Sequence, residues 1–172
     1  LPDPASGKKL LRKLKTVRNS PEGIVRHKSF HFLNNVLAKR ELMRHSHSDK
    51  LQAEGLFLTS DGYIAEGIVS NLFFVSRGKL CTPSLRTGIL PGITRQFVIG
   101  LAKEAGIDVE EGLYSWDELL LAEEVFLTNS VQEIVPVAKM VDEYGNKAAA
   151  FEGTGVVTTK LQQLYRKKAG GR

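Results

Sequence analysis

What most limits the folds open to this chain is a series of apolar, β-rich runs between residues 54 and 84, broken by hairpin dipeptides. EGLFLTS meets Asp61-Gly62, YIAEGIVSNLFFVS follows and meets Arg77-Gly78, and KLCTPS closes the series. Asp-Gly and similar dipeptides adopt the positive φ angles of tight hairpins at little cost, so the spacing predicts an antiparallel meander. A helix follows it. Beyond GILPG, the segment Thr94 to Ala105 places Phe97, Val98, Leu101 and Ala105 at helical spacing, and Gly106 supplies a stop.

Further along, IDVEEGLY reads as a short strand, and SWDELLLA opens with Ser115 and Glu118 in the arrangement of a capping box. EEVFLTNS and EIVPVAKMV are strand-like, and residues 154 to 168 finish as an amphipathic helix with a basic tail. Before the meander, LKTVR (14 to 18) has strand alternation and NSPEG is turn chemistry. From Phe32 to Met43, the residues Phe32, Leu33, Val36, Leu37 and Leu42 outline a helical face. Strands interrupted by a few helices, without strict alternation, predict an α+β architecture.

With 172 residues, 42% of them hydrophobic and 25% charged, the chain can bury one sizeable core. No apolar run approaches the roughly 20 residues of a membrane span, and the basic start lacks the apolar stretch of a secretory signal. A soluble, cytoplasmic protein without a membrane partner is expected. Cys81 is the one cysteine, which excludes an internal disulfide and a multi-cysteine metal site. Residues 1 to 12 carry two prolines, Ser6, Gly7 and charges, and read as a linker. The expected division is therefore a linker and first strand over 1–22 and one large domain over 23–172.

The net charge of +5 traces to Lys8, Lys9, Arg12, Lys13, Lys15 and Arg18, a stretch with no acid among them. Clustered cations neutralise nucleic-acid phosphates, but no aromatic is interleaved for stacking on bases. The expectation is a solvated linker or strand margin with no nucleic-acid partner. A basic, non-catalytic binding module is the one non-enzyme alternative this cluster sustains.

Four places could carry chemistry. In GILPGITR a tight loop delivers a helix whose first turn holds Ile93 and Thr94, and the free amides of a helix start suit an anion; a plain junction capped by Thr94 is the bland alternative. Glu66 lies inside an apolar β run, so its carboxylate must sit at an exposed edge or meet a buried cation. Lys28 lies on the approach to a helix, where most lysines are simply solvated. His27, His31, His45 and His47 have no partnering acidic or cysteine spacing that closes a metal site.

In their order, RHKSFHFLNNVLAKRE, AEGIVSNLFF, TPSLRTGILPGITR and VFLTNSVQEIVPV resemble the class IV aminotransferases, the fold-type IV pyridoxal-phosphate (PLP) enzymes. The resemblance spans residues 26 to 137. It implies the larger, C-terminal PLP-binding domain of the D-amino-acid aminotransferase-like fold, a β-meander or barrel core with flanking helices. It also implies pyridoxal 5'-phosphate as cofactor, Lys28 as the catalytic lysine that holds it, and Glu66 as partner of its pyridine nitrogen. Ile93 and Thr94 would bind its phosphate, with Ser130 adding a contact. Leu90 would pack on the ring, and Ser70 and Asn71 would support Glu66.

The family's smaller domain, with its phosphate-binding arginine, would precede this segment and is not in the chain, and family members are generally homodimers. The T-N-S form at Ser130, with LKTVRNSPEG and HFLNNVLAKRE, is most similar to bacterial aminodeoxychorismate lyases. The implied substrate is aminodeoxychorismate, converted to 4-aminobenzoate and pyruvate for folate synthesis. A transaminase acting on D-amino or branched-chain amino acids, with the same Lys28 and Glu66, is the alternative.

Overall fold

The structure, a computed structural model, describes residues 7–18, 33–44 and 51–170. Its strands are β1 (Lys9–Lys13), β2 (Gln52–Leu58), β3 (Ile64–Gly67), β4 (Asn71–Ser76), β5 (Lys79–Pro83), β6 (Val109–Gly112), β7 (Glu124–Asn129), β8 (Glu133–Val141) and β9 (Lys147–Ala150). Four α-helices accompany them: α1 (Leu33–Arg44), α2 (Ile93–Glu104), α3 (Trp116–Leu120) and α4 (Val156–Lys168). The strands form one curled sheet in the order β3-β2-β1-β8-β7-β4-β5-β6, with β9 attached to β8. This mixed α+β half-barrel agrees with the fold class expected from the sequence.

The basic N-terminal stretch is not a solvated margin. It supplies β1, an interior strand parallel to β2 on one side and to β8 on the other. A strand flanked on both edges and covered on both faces must bury what it carries; Leu10 and Leu11 are buried, and so are Lys9, Arg12 and Arg18. The strand therefore lies earlier than the expected LKTVR, whose residues run on beside β2 through bonds from the Leu14 amide to Leu56 O and from the Arg18 amide to Leu58 O. The interspersed cations disguised a core strand. With half of its six cations buried, the cluster is not a presented basic patch, which removes the support for a basic binding module.

The meander is only half realised. β2 pairs with β3 and β4 with β5, both antiparallel, but β4 takes β7 rather than β3 as its other neighbour. Between β3 and β4 the chain folds into a tight turn closed by the Gly67 amide on Ser70 O at 2.7 Å, which redirects β4 instead of returning it along β3. At the β4–β5 hairpin, Arg77 and Gly78 both have positive φ (51° and 73°), the backbone that a two-residue hairpin demands.

Helix α3 begins with the expected capping box between Ser115 and Glu118, and α2 stops before Gly106, whose φ is +72°. Helices α2 and α4 cover Phe73, Phe126 and Ile134 of the sheet. Helix α1 forms over the expected span, but its buried residues are Ala38 and Leu42, packed with Leu14, Phe57, Ala65 and Ile89. Leu33, Val36 and Leu37, expected on the apolar face, are exposed, as is Met43.

Candidate active site

Glu66 is the penultimate residue of β3, and the strand's neighbours leave its side chain nearly sealed from solvent at 5% exposure. Such a carboxylate must be compensated. Arg18 does so from the segment after β1, with its Nη2 at 2.7 Å from Glu66 Oε1 and its Nε donating to Gly88 O at 3.3 Å. Glu66 Oε2 accepts from the Leu90 amide at 3.0 Å and from Asn71 Nδ2 at 3.1 Å. Asn71 Nδ2 also donates to Leu90 O at 3.0 Å, so one amide clips the 88–92 loop to the acid. A carboxylate has about four lone-pair sites; the three donors leave room for one more.

Burial pushes the Glu66 carboxyl up from its ordinary range to about 7, against the opposing pull of the Arg18 guanidinium, the Leu90 amide and Arg95. A carboxyl poised there can hold a proton or share one near neutrality.

The loop that Asn71 holds delivers α2. Its N-cap is Gly92, which offers no side-chain cap, so the first amides of the helix lack that partner. Thr94 is the second helical residue and buried, not the cap that the bland reading required, while Ile93 is 85% exposed. Arg95 turns back from the same helical turn and anchors it, its Nη2 donating to Pro83 O at 2.9 Å and to Glu111 at 2.6 Å. Gly92 is demanded by proximity: a Cβ there would sit 2.2 Å from Asn71 Oδ1. Gly92→Ala is expected to cost about 1–3 kcal/mol of unfolding free energy through forced displacement of Asn71. Gly100→Ala, in the same helix with nothing within 4 Å of the new carbon, should be neutral or stabilising. Urea unfolding of the two variants checks the contrast, and equal midpoints would contradict the close approach.

The structure brings Glu66, Asn71 and Leu90 into direct contact, with Thr94 just beyond on α2. Ser70 is buried beside them, its Oγ without a hydrogen-bond partner among the described residues. Ser130 is exposed at the β7–β8 turn, where Asn129 Oδ1 accepts from the amides of Val131 and Gln132. Lys28 lies outside the described residues, as do His27, His31, His45 and His47.

Three participants were not read from the sequence. Arg18 falls in the run expected to be solvated, and Arg95 was not singled out. Thr128 drew no attention, yet it is buried, pairs in register with Asn71 across β4 and β7, and leaves its Oγ1 without a hydrogen-bond partner among the described residues. Unpartnered Ser70 and Thr128 hydroxyls flank Asn71, which in turn touches the acid and the loop to an uncapped helix start. That donor set fits a group carrying both an anion and a basic ring nitrogen.

Residues 1–140 match the family model described as amino-transferase class IV. The chain belongs to the class IV aminotransferases. Enzymes of this family are PLP-dependent. Among curated class IV relatives, the aminodeoxychorismate lyase of Bacillus subtilis is 45% identical over 152 residues, 88% of this chain and 48% of its own length. The branched-chain-amino-acid aminotransferase of Escherichia coli is 40% identical over 135 residues, 78% of this chain and 40% of its own length. In three dimensions, the branched-chain aminotransferase of Thermobaculum terrenum in its PLP form superposes with a TM-score of 0.82, with 33% identity over 93% of this chain and 50% of that one. The chain thus spans half, or less, of each of these relatives.

Proposed function

We propose that the protein carrying this chain is a PLP-dependent 4-amino-4-deoxychorismate lyase, releasing 4-aminobenzoate and pyruvate, with Lys28 as the residue that holds the cofactor covalently. The observation that carries the cofactor reading is the buried Glu66 carboxylate, tied through Asn71 and Leu90 to the loop that opens α2. Pyridoxal 5'-phosphate, when bound, supplies an electron sink for negative charge developing beside the substrate nitrogen. Glu66 keeps a proton on the ring nitrogen, Arg18 steadies the carboxylate, and the amides of Ile93 and Thr94, with the hydroxyls of Thr94 and Ser130, receive the phosphate. Leu90 would lie against the ring, and Ser70 and Asn71 would support Glu66. Lys28 Nζ would act as general base on the ring hydrogen next to the substrate nitrogen. Loss of pyruvate then leaves an aromatic ring, and no keto-acid acceptor is consumed.

The choice of lyase rests on the 45% identity to the Bacillus subtilis enzyme and on the T-N-S form around Ser130. A branched-chain transaminase, favoured by the Escherichia coli relative and the solved neighbours, would use the same lysine to return a proton to the cofactor. Supplying aminodeoxychorismate to the full-length protein without an amino acceptor separates them. 4-Aminobenzoate is the expected product, and amino-acid formation from added keto acids in its place would favour the transaminase.

Glu66→Gln provides a second test. The amide cannot hold the ring-nitrogen proton, so turnover should fall by about 10²-fold or more while PLP affinity changes less. Titration of PLP by absorbance, beside steady-state rates, reads the two quantities separately. Unchanged turnover would leave Glu66 as a strand residue only.

A further inference from the structure

The candidate site has two turns at its edges, 67–70 behind Glu66 and 129–132 carrying Ser130, and a buried ion pair that the reaction does not use lies between them. Lys9 Nζ, on β1, is 3.5 Å from Glu54 Oε2 on β2 and donates to Gln132 Oε1 at 2.6 Å. Glu54 Oε1 accepts from the Val69 amide at 3.1 Å, and the absent side chain of Gly67 makes room for it, since a Cβ there would lie 2.9 Å from that oxygen. Both charged side chains are almost fully enclosed, at 6% and 5% exposure. An unbroken polar path therefore runs from one turn through Glu54 and Lys9 to the other.

A buried pair of this kind contributes little net stability, because desolvation offsets the attraction, and well-packed apolar replacements often fold as well or better. What it supplies is fixed geometry. Each charge has one bond to its partner and one to a turn, so a shift of either turn strains a buried charge and is resisted by the other. The tips of the two turns, Val69 and Val131, are exposed at 65% and 83%, so they are not held by packing there.

We infer that Lys9 and Glu54 are positioning residues that couple turn 67–70 to turn 129–132, so that the two edges of the cofactor site keep one separation. The coupling stands on the contacts above; its bearing on PLP rests on the functional reading just proposed. The test compares wild type, Lys9→Met, Glu54→Gln and Lys9→Met/Glu54→Leu in the full-length protein. Amide hydrogen exchange, which needs no cofactor, is followed at Val69, Val131 and Gln132, with PLP affinity and thermal unfolding alongside.

Glu54→Gln should speed exchange about tenfold at Val131 and Gln132, in the turn it does not touch, and Lys9→Met should do so at Val69. The double variant, with no charge left unpaired, should unfold near the wild-type temperature yet keep the fast exchange and bind PLP about tenfold more weakly. Acceleration confined to each variant's own turn, or a double variant with wild-type exchange, would overturn the coupling. Wild-type PLP affinity in the double variant would overturn the positioning role. A wild-type protein that binds no PLP would refute the functional reading instead, and the exchange data would still decide the coupling.

Discussion

Lys28→Ala is expected to lower turnover of the full-length protein by at least about 10³-fold, because one side chain is asked both to hold the cofactor and to move the proton. Stability should barely change. A lysine that must stay accessible to a cofactor is not packed as core, so its truncation should open no cavity. Turnover measured beside thermal unfolding checks both halves. Near wild-type turnover would remove Lys28 from the mechanism, and a large drop in melting temperature would make it a structural residue.

Arg18→Met should have the largest effect on stability, and the effect should depend on pH. Removing one member of a buried pair strands the other, at a cost of about 3–5 kcal/mol if the charge persists. Glu66 can escape part of this by taking up a proton, since burial already lifts its carboxyl to about 7 with Arg18 in place. A carboxyl whose folded value lies above its unfolded one binds more protons when folded, so stability is greatest below the unfolded value of 4.5 and falls as pH rises toward 7. The slope approaches at most about 1.4 kcal/mol per pH unit in that window. Without Arg18 the folded value rises further, so the fall should continue above pH 7. Urea unfolding from pH 5 to 8.5 should therefore show the variant's deficit widening with pH, and Arg18→Met/Glu66→Gln should lack the slope. A deficit independent of pH would mean that Glu66 is not the charge left behind.

How much of this was visible beforehand follows from which forces are local. The Ser115–Glu118 cap, the Arg77-Gly78 hairpin and the α2 stop at Gly106 depend on backbone preferences of a few residues, and those sequence signals match the structure. The pairing of β4 with β7 and the placement of β1 inside the sheet depend on contacts between distant segments, which periodicity does not report. Polarity misled in both directions. Lys9 and Arg18 belong to a cationic run of the kind that is usually solvated, yet each is buried against a glutamate from another strand. Leu33, Val36 and Leu37 were counted as core, yet α1 turns Ala38 and Leu42 inward. At the site, the motif residues Glu66, Asn71 and Leu90 stand together, but the cation that balances Glu66 could not be paired with it across 48 positions of sequence without the fold.

Chemical trapping tests most directly whether this domain holds pyridoxal phosphate through Lys28. The full-length protein is incubated with PLP, the lysine–cofactor bond is reduced with borohydride, and the modified peptide is identified by mass spectrometry. One equivalent of label on Lys28, lost in Lys28→Ala without transfer elsewhere, is the predicted result. Label scattered over exposed lysines such as Lys103 and Lys168, with none on Lys28, would contradict it.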